Sequence, residues 1–381
     1  MNKNIDERQQ AVRDEVKAFA EKEIYPLSQE LDQMPEPRKF PLDLYRKVAQ
    51  AGFIGYAMPK ELGGLGKSHL EYITLVEELC YHDAAVGLLC AVGELATHPI
   101  INFGNDEQKK KFVPDCASGK IVPAFVLTEP NAGSDAANQS TEAVETDDGF
   151  ILNGEKIFIM HGDAADIGIV FCKVKDKPKL SAIIVEDTKQ AGWDARTLKN
   201  KMGMRAATTG GIFLKDVKAP RENLLGDFGK GFRYAMTTLD SARIGVAAQG
   251  VGIAQRALDE SIAYAKKRIA FGAPIAKLQA IQWMIANMAT RVAAARGLCY
   301  TAALLQDAGK RFSLEAAMAK LYCSETAGFC VDRAMQIHAG YGYIGEFSVI
   351  EKLYRDQRVL EIYEGTSEVQ RLVIAGSVIG R

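Results

Sequence analysis

The chain has 381 residues, 48% of them hydrophobic and 25% charged, with a net charge of -1. That length allows two or three domains, and the composition is that of an ordinary globular core. The near-neutral balance lacks the basic excess that nucleic-acid binding calls for, although a local basic patch for a phosphate-bearing ligand stays open.

Seven scattered cysteines (Cys80, Cys90, Cys116, Cys172, Cys299, Cys323, Cys330) form no C-x-x-C pair. Neither a zinc site nor a disulfide framework is expected, and a reducing compartment is the simplest inference. The segment from Met1 to Arg8 is polar at once and has no apolar signal-peptide core. The most apolar run, 84–95, is too short to span a bilayer and carries Glu94. A cytoplasmic protein with no membrane span is expected.

The spacing of Ile5, Val12, Val16, Phe19, Ala20 and Ile24 predicts a helix over 4–32. A second is expected over 42–52, stopped by Gly52. Gly66-Lys67-Ser68 resembles the end of a phosphate-binding loop, but Glu61 stands where that pattern needs glycine and no strand precedes it. A turn between helices is the better reading. Helices follow at 69–80, 84–103 and 106–119. From Val122 to Val217 apolar and polar residues alternate, punctuated by Pro130-Asn131-Ala132-Gly133, Asp147-Asp148-Gly149 and Asn153-Gly154. Strands are predicted at 122–128, 141–146, 150–159, 167–174, 180–186 and 211–217, forming an antiparallel barrel or sandwich. Helical periodicity then returns at 231–267, 276–309, 313–341, 346–356 and 367–379, which reads as an antiparallel four-helix bundle. The fold class is mainly α with a central β domain, divided as 1–121, 122–230 and 231–381.

Three stretches carry chemistry. In Ile362-Tyr363-Glu364-Gly365-Thr366-Ser367-Glu368-Val369-Gln370-Arg371, Ser367 and Gln370 have the spacing of a capping box, so Glu364 should lie in a loop before a helix. The helix dipole favours its anion and apolar neighbours oppose it. Glu364 is either a plain capping acid or a base suited to carbon acids. Phe125-Val126-Leu127-Thr128-Glu129-Pro130-Asn131-Ala132-Gly133-Ser134-Asp135 is a strand running into a loop of turn formers and hydroxyls. It reads as an ordinary strand exit or as a cradle for a polar planar ligand. Lys266-Lys267-Arg268 complements a helix C-terminus. Glu94, on an apolar helix, is either an N–H-bonded or solvent-facing acid or a second carboxylate in a pocket.

These stretches resemble the acyl-CoA dehydrogenase family over essentially the whole chain. The strongest matches are I-Y-E-G-T at 362–366 and T-E-P-x-A-G-S-D at 128–135. The resemblance implies an FAD enzyme that oxidises an acyl-CoA to its 2-enoyl-CoA and passes electrons to an electron-transferring flavoprotein. It implies a homotetramer as well. By the same resemblance, Glu364 is expected to take the α proton, while the β hydrogen leaves as hydride. The Glu364 N–H helps to polarise the thioester carbonyl, as an oxyanion hole does.

The cofactor contacts implied are Phe125, Leu127, Thr128, Gly133, Ser134, Phe158, Met160, Arg268, Phe271, Gln279, Gln336, Gly340, Thr366 and Glu368. The substrate contacts implied are Ser134, Asp240, Arg243, Tyr363 and Gly365. Phe158 stands in place of a tryptophan, and Met160 in place of a threonine whose hydroxyl bonds the flavin. A thioether cannot donate that bond, so altered flavin reactivity or an altered redox partner is expected. Ala339 takes the place of a glycine in Gln336-Ile337-His338-Ala339-Gly340. Relatives that place the catalytic acid before the matching arginine have no counterpart here, where the residue is Ala242.

Val86 stands where glutaryl-type relatives carry an arginine, which argues against a dicarboxylic acyl group. Val86, Cys90, Glu94, Ala242, Val246 and Tyr363 are the pocket candidates, and they point to a short or cyclic acyl group. Four other readings remain: an enoyl-CoA reductase in an electron-transfer complex, an oxidase that uses oxygen directly, a 1,4-elimination on a cyclic enoyl-CoA with Glu94 as second base, and a catalytically silent scaffold.

Overall fold

A computed structural model of the chain describes residues 7–380. The first residues of the helix predicted from 4, Ile5 among them, lie outside the described residues. The rest of that prediction splits. Helix α1 (Glu7–Phe19) loosens into a wider turn at Ala20–Ile24, and α2 (Ser28–Gln33) starts afresh. Pro26 has no N–H to give and clashes with the preceding turn, so a single helix cannot pass it.

Helices α3 (Leu42–Gln50), α4 (His69–His82), α5 (Ala84–Phe103) and α6 (Asp106–Ala117) complete the first part. The Gly66-Lys67-Ser68 segment is a turn. Ser68 caps α4, and the Glu71 side chain returns the bond to the Ser68 backbone, as an S-x-x-E spacing should. Helix α5 runs 20 residues, longer than the apolar run read from sequence, and by length and composition could cross a bilayer. It lies instead inside the protein, with 15 of its residues buried.

Seven strands form one sheet: β1 (Pro123–Val126), β2 (Glu142–Thr146), β3 (Gly149–Met160), β4 (Ile167–Val174), β5 (Leu180–Val185), β6 (Trp193–Thr197) and β7 (Thr209–Pro220). The sheet is mixed, not purely antiparallel, because both β1 and β2 run parallel to β4. Alternation along a strand reports which face is buried and is blind to the direction of the neighbour. Strand β6, short and half-exposed, has no counterpart in the sequence reading. Leu152, Val170, Ile183 and Ile212 share one apolar core within the sheet domain. Ile169, Phe171 and Ile184, on the other sheet face, join the core shared with the helices.

Two register shifts interrupt the β3–β7 ladder, one of them between Lys156 and Ile159. There the Ile157 N–H leaves the ladder to bond the Thr128 carbonyl at 2.9 Å. Phe158 takes a left-handed φ of 58° and is 64% exposed. Bulges re-aim side chains in this way.

The last part is built on α7 (Gly231–Lys267), followed by a two-residue hairpin, β8 (Ile269–Ala270) and β9 (Ala273–Pro274), also not anticipated. Helices α8 (Gln279–Asp307), α9 (Ser313–His338), α10 (Gly340–Tyr343), α11 (Ile350–Gln357) and α12 (Ser367–Ile379) complete it. Helix α7 touches α4 so closely at Gly252 that a Cβ there would sit 2.1 Å from the Glu77 carbonyl oxygen. That contact joins the first and last helical parts. Glu77 itself is buried between Arg13 and Arg296, at 2.9 and 3.0 Å, which ties α1, α4 and α8 together.

Candidate active site

The loop before α12 holds Glu364. Sequence predicted a capping box from Ser367 and Gln370. Thr366 is the cap instead, accepting from the Val369 N–H at 3.3 Å. Ser367 falls one residue inside the helix, and its buried hydroxyl has no partner. Gln370 turns back and donates to the carbonyls of Glu364 (3.2 Å) and Gly365 (2.8 Å). Arg243, buried on α7, donates from Nε to the Glu364 carbonyl at 3.3 Å and pairs with Asp240 at 2.5 Å. Lys320, buried on α9, donates to the Gly365 carbonyl at 2.8 Å.

Three side chains from three helices thus grip two successive carbonyls. Glu364 is held at φ 56°, where a non-glycine residue is strained. Gly365 follows at φ 89°, and a Cβ there would meet the Gln370 amide at 2.7 Å. Asp240 and Arg243 were expected at the substrate. The structure places Arg243 beneath the loop, with Asp240 holding its far end.

The Glu364 side chain lines a small, partly open cavity with Tyr72, Glu94, Met160, Ala242 and Tyr363. The cavity leaves about 30 Å³ for water centres, room for roughly two waters. One Glu364 carboxylate oxygen is buried without a hydrogen-bond partner. Burial pushes the carboxyl up to about 7, against the pull of Arg243 and Lys320. Glu94 is only 7% exposed. Burial, and then the charge of Glu364, push it up to about 7 as well. Burial lowers Lys320 to about 8, with Glu364 opposing.

Of the six pocket candidates, Glu94, Ala242, Val246 and Tyr363 line the cavity. Val86 and Cys90 do not. The cavity stripe of α5 is Leu88, Ala91, Val92 and Leu95, the i, i+3, i+4, i+7 face. Cys90 points away and donates to the Phe53 carbonyl at 3.2 Å.

Met160 ends β3 at the cavity edge, and its sulfur accepts from the Thr209 hydroxyl at 3.1 Å. On β1, Phe125 packs on Phe171 of the adjacent β4 with ring centroids 4.8 Å apart. The loop carrying Gly133 and Ser134 is exposed. Its base is fixed by Glu129, which sequence matched in a motif without a role. The Glu129 carboxylate accepts from Ser140 N–H (2.6 Å), Ser140 O–H (2.7 Å), Thr141 N–H (3.0 Å) and Lys156 Nζ (2.9 Å). Lys156 also donates to the Leu127 carbonyl at 2.9 Å, so the chain at 127–129 is pinned to β3.

The remaining residues are not brought to this cavity. Arg268 lies over the Tyr341 ring at 5.5 Å and shares a second groove with Gly340, of about 460 Å³ by the same measure. Phe271 is 93% exposed at the hairpin tip. Gln279, Gln336 and Glu368 are exposed, and Thr366 serves as the cap.

Sequence reasoning missed Lys320, Tyr72 and Gln249. For Lys320 a signal existed, since Ala316, Ala317 and Cys323, its neighbours one turn away, are all apolar and buried. A lysine on that stripe needs a partner.

Three family models match the chain, described as the N-terminal, middle and C-terminal domains of acyl-CoA dehydrogenase, over residues 6–120, 124–217 and 229–379. A 3-(aryl)acrylate reductase of Clostridium sporogenes is 45% identical over 98% of this chain and 99% of its own. A caffeyl-CoA reductase-Etf complex subunit, CarC of Acetobacterium woodii, is 44% identical over 98% of each. The solved butyryl-CoA dehydrogenase from Megasphaera elsdenii is 40% identical, covers all of both chains and superposes with a TM-score of 0.93.

Proposed function

The chain belongs to the acyl-CoA dehydrogenase family, a family of flavin-dependent oxidoreductases, and from that premise we propose that it interconverts a short or cyclic acyl-CoA and its 2-enoyl-CoA. The observation that carries this is Glu364: a strained, gripped residue whose carboxyl faces a small cavity and is pushed up to about 7 by burial. A base with such a proton affinity can take an α proton and return it.

FAD is the cofactor, and the exposed face around Phe158, the pinned 125–134 segment and the Arg268–Gly340 groove are residues that fit it. Phe125, Leu127, Thr128, Gly133, Ser134, Phe158 and Met160 would hold its ring side. Arg268, Phe271, Gln279, Gln336, Gly340, Thr366 and Glu368 would hold its dinucleotide arm. When bound, FAD supplies hydride chemistry at the β carbon. Phe271 and Gln279 stand on the outer surface, and a homotetramer would give them a neighbouring subunit to work with.

Glu364 receives the α proton on the buried oxygen that lacks a partner. Its own N–H polarises the thioester carbonyl, which lowers the barrier to removing that proton. Arg243, Lys320 and Gln370 act through the backbone by fixing the loop. Tyr363 and the α5 stripe close the acyl end against water.

The physiological direction is the finer question. Reduction of a 2-enoyl-CoA by electrons from an electron-transferring flavoprotein is the second reading, favoured because Glu364 near pH 7 is half-protonated and equally able to give a proton. Anaerobic titration with saturated, aromatic and alicyclic acyl-CoA thioesters tests the first. Flavin bleaching by one class, lost in Glu364→Gln, supports oxidation. Bound flavin that no saturated thioester reduces, but that enoyl thioesters reoxidise, supports reduction. A purified chain without flavin sinks both.

A further inference from the structure

Three polar groups in the acyl cavity have no task in the reaction just described, and they refine its substrate; the inference rests on that acyl-thioester reading. Glu94 is 93% buried and makes no hydrogen bond or ion pair among the described residues. Tyr72, 5% exposed, likewise leaves its hydroxyl without a protein partner. Gln249, 1% exposed, accepts the Tyr363 hydroxyl on its side-chain oxygen and keeps its amide N–H groups for the cavity. The wall between them is apolar, with Leu88, Ala91 and Val246. A buried polar side chain with unused hydrogen-bonding capacity is costly, so three of them around one small cavity mark a ligand's polar end.

Charge decides what they offer. Arg243 and Lys320 bond the carbonyls of residues 364 and 365, and no cation bonds Glu94. Two carboxylates sharing one cavity do not both ionise readily. Arg243 and Lys320 favour the ionised form of Glu364, whereas burial and the charge of Glu364 both favour the protonated form of Glu94. Glu94 O–H, Tyr72 O–H and Gln249 N–H are then all donors. We propose that Tyr72, Glu94 and Gln249 form a donor subsite that selects acyl groups carrying a neutral oxygen, a hydroxyl or a carbonyl, on the chain or ring. A carboxylate there would face Glu364 with no cation to meet it. A second base at Glu94 would need the opposite protonation state.

The test uses the oxidised, flavin-loaded protein, which binds enoyl thioesters without turning them over. Dissociation constants are measured by calorimetry for two matched pairs: crotonyl-CoA with 4-hydroxycrotonyl-CoA, and cinnamoyl-CoA with 4-hydroxycinnamoyl-CoA. In at least one pair the hydroxylated member should bind about tenfold tighter or more, the scale of one or two hydrogen bonds in a dry site. Glu94→Gln keeps an N–H donor and should retain that ratio, whereas Glu94→Leu should abolish it and Tyr72→Phe should reduce it. Equal affinity within both pairs overturns the subsite. So does a ratio lost as fully in Glu94→Gln as in Glu94→Leu, which would mark an ionised Glu94. If none of the four thioesters binds, the acyl-thioester reading itself fails, and the subsite falls with it.

Discussion

Glu129 and Glu364 are both held in the folded interior, and their surroundings treat them in opposite ways. Glu129 accepts four hydrogen bonds, one from the buried ammonium of Lys156. Burial alone would raise it, but the bonds from Ser140 and Thr141 and the Lys156 charge outweigh this and hold it at about 2. At Glu364 the same donors are present in kind, but they are spent elsewhere. Arg243, Lys320 and Gln370 all bond backbone carbonyls, and the carboxyl, left with one bare buried oxygen, rises to about 7. A satisfied carboxylate fixes the chain, as Glu129 does for the 127–141 loop. A carboxyl denied its partners while its backbone is fixed is suited to acid–base work.

Breaking the second arrangement should have the largest effect. Glu364→Gln keeps the shape and removes the proton acceptor, and turnover should fall roughly 10²–10⁴-fold. A fall of less than tenfold in single-turnover flavin reduction would sink the assignment. The pH dependence carries the sign. Oxidation needs the carboxylate, so its rate should rise as pH passes through about 7, while enoyl reduction needs the acid and should fall over the same range.

Breaking the first arrangement should cost stability in place of rate. Lys156→Met leaves the Glu129 charge buried without its counter-ion, a loss on the order of 3–5 kcal/mol in denaturant unfolding. A loss below about 1 kcal/mol would mean that Ser140 and Thr141 suffice.

A smaller change sharpens the comparison. Lys320→Met removes a cation that favours ionised Glu364, so both pH limbs should move to higher pH, by roughly one unit. An unmoved midpoint would reduce Lys320 to a backbone clamp.

The two carboxylates also differ in linkage to folding. A carboxyl raised above its unfolded value makes folding less favourable as pH climbs from about 4.5 to 7, because the unfolded chain releases its proton first. Glu129, lowered to about 2, contributes stability above about 4.5 that is lost as pH falls through 2. Thermal scans between pH 5 and 8 should therefore show Glu94→Gln and Glu364→Gln losing less stability than the parent chain, by on the order of 1 kcal/mol. Parallel curves would refute the raised values.

The helix-period stretch at 231–267 coincides with α7, whose long apolar stripe dictates which face turns inward; the stretch at 367–379 coincides with α12, although the residues it buries are the polar Ser367 and Gln370. The motif at 362–366 located a carboxyl that lines the cavity. Its local geometry was misread by one residue: S-x-x-Q pointed to Ser367, but Gln370 had two carbonyls within reach across the loop and left the capping task to Thr366. Likewise Pro26 broke a helix that apolar spacing alone had carried through. Strand direction, the β3 bulge and Lys320 were out of reach, since each depends on a neighbour far along the chain.

Sequence by itself determined the helical, β, helical order, the family's motifs and the presence of a carboxylate at 364, because these depend on periodicity and on residue identity. Tertiary structure alone decided what surrounds that carboxylate. Tyr72 from α4, Glu94 from α5, Met160 from β3 and Gln249 from α7 meet Glu364 in one cavity. Proton affinity follows desolvation and nearby charge, and both are set by groups that sequence scatters over almost three hundred residues.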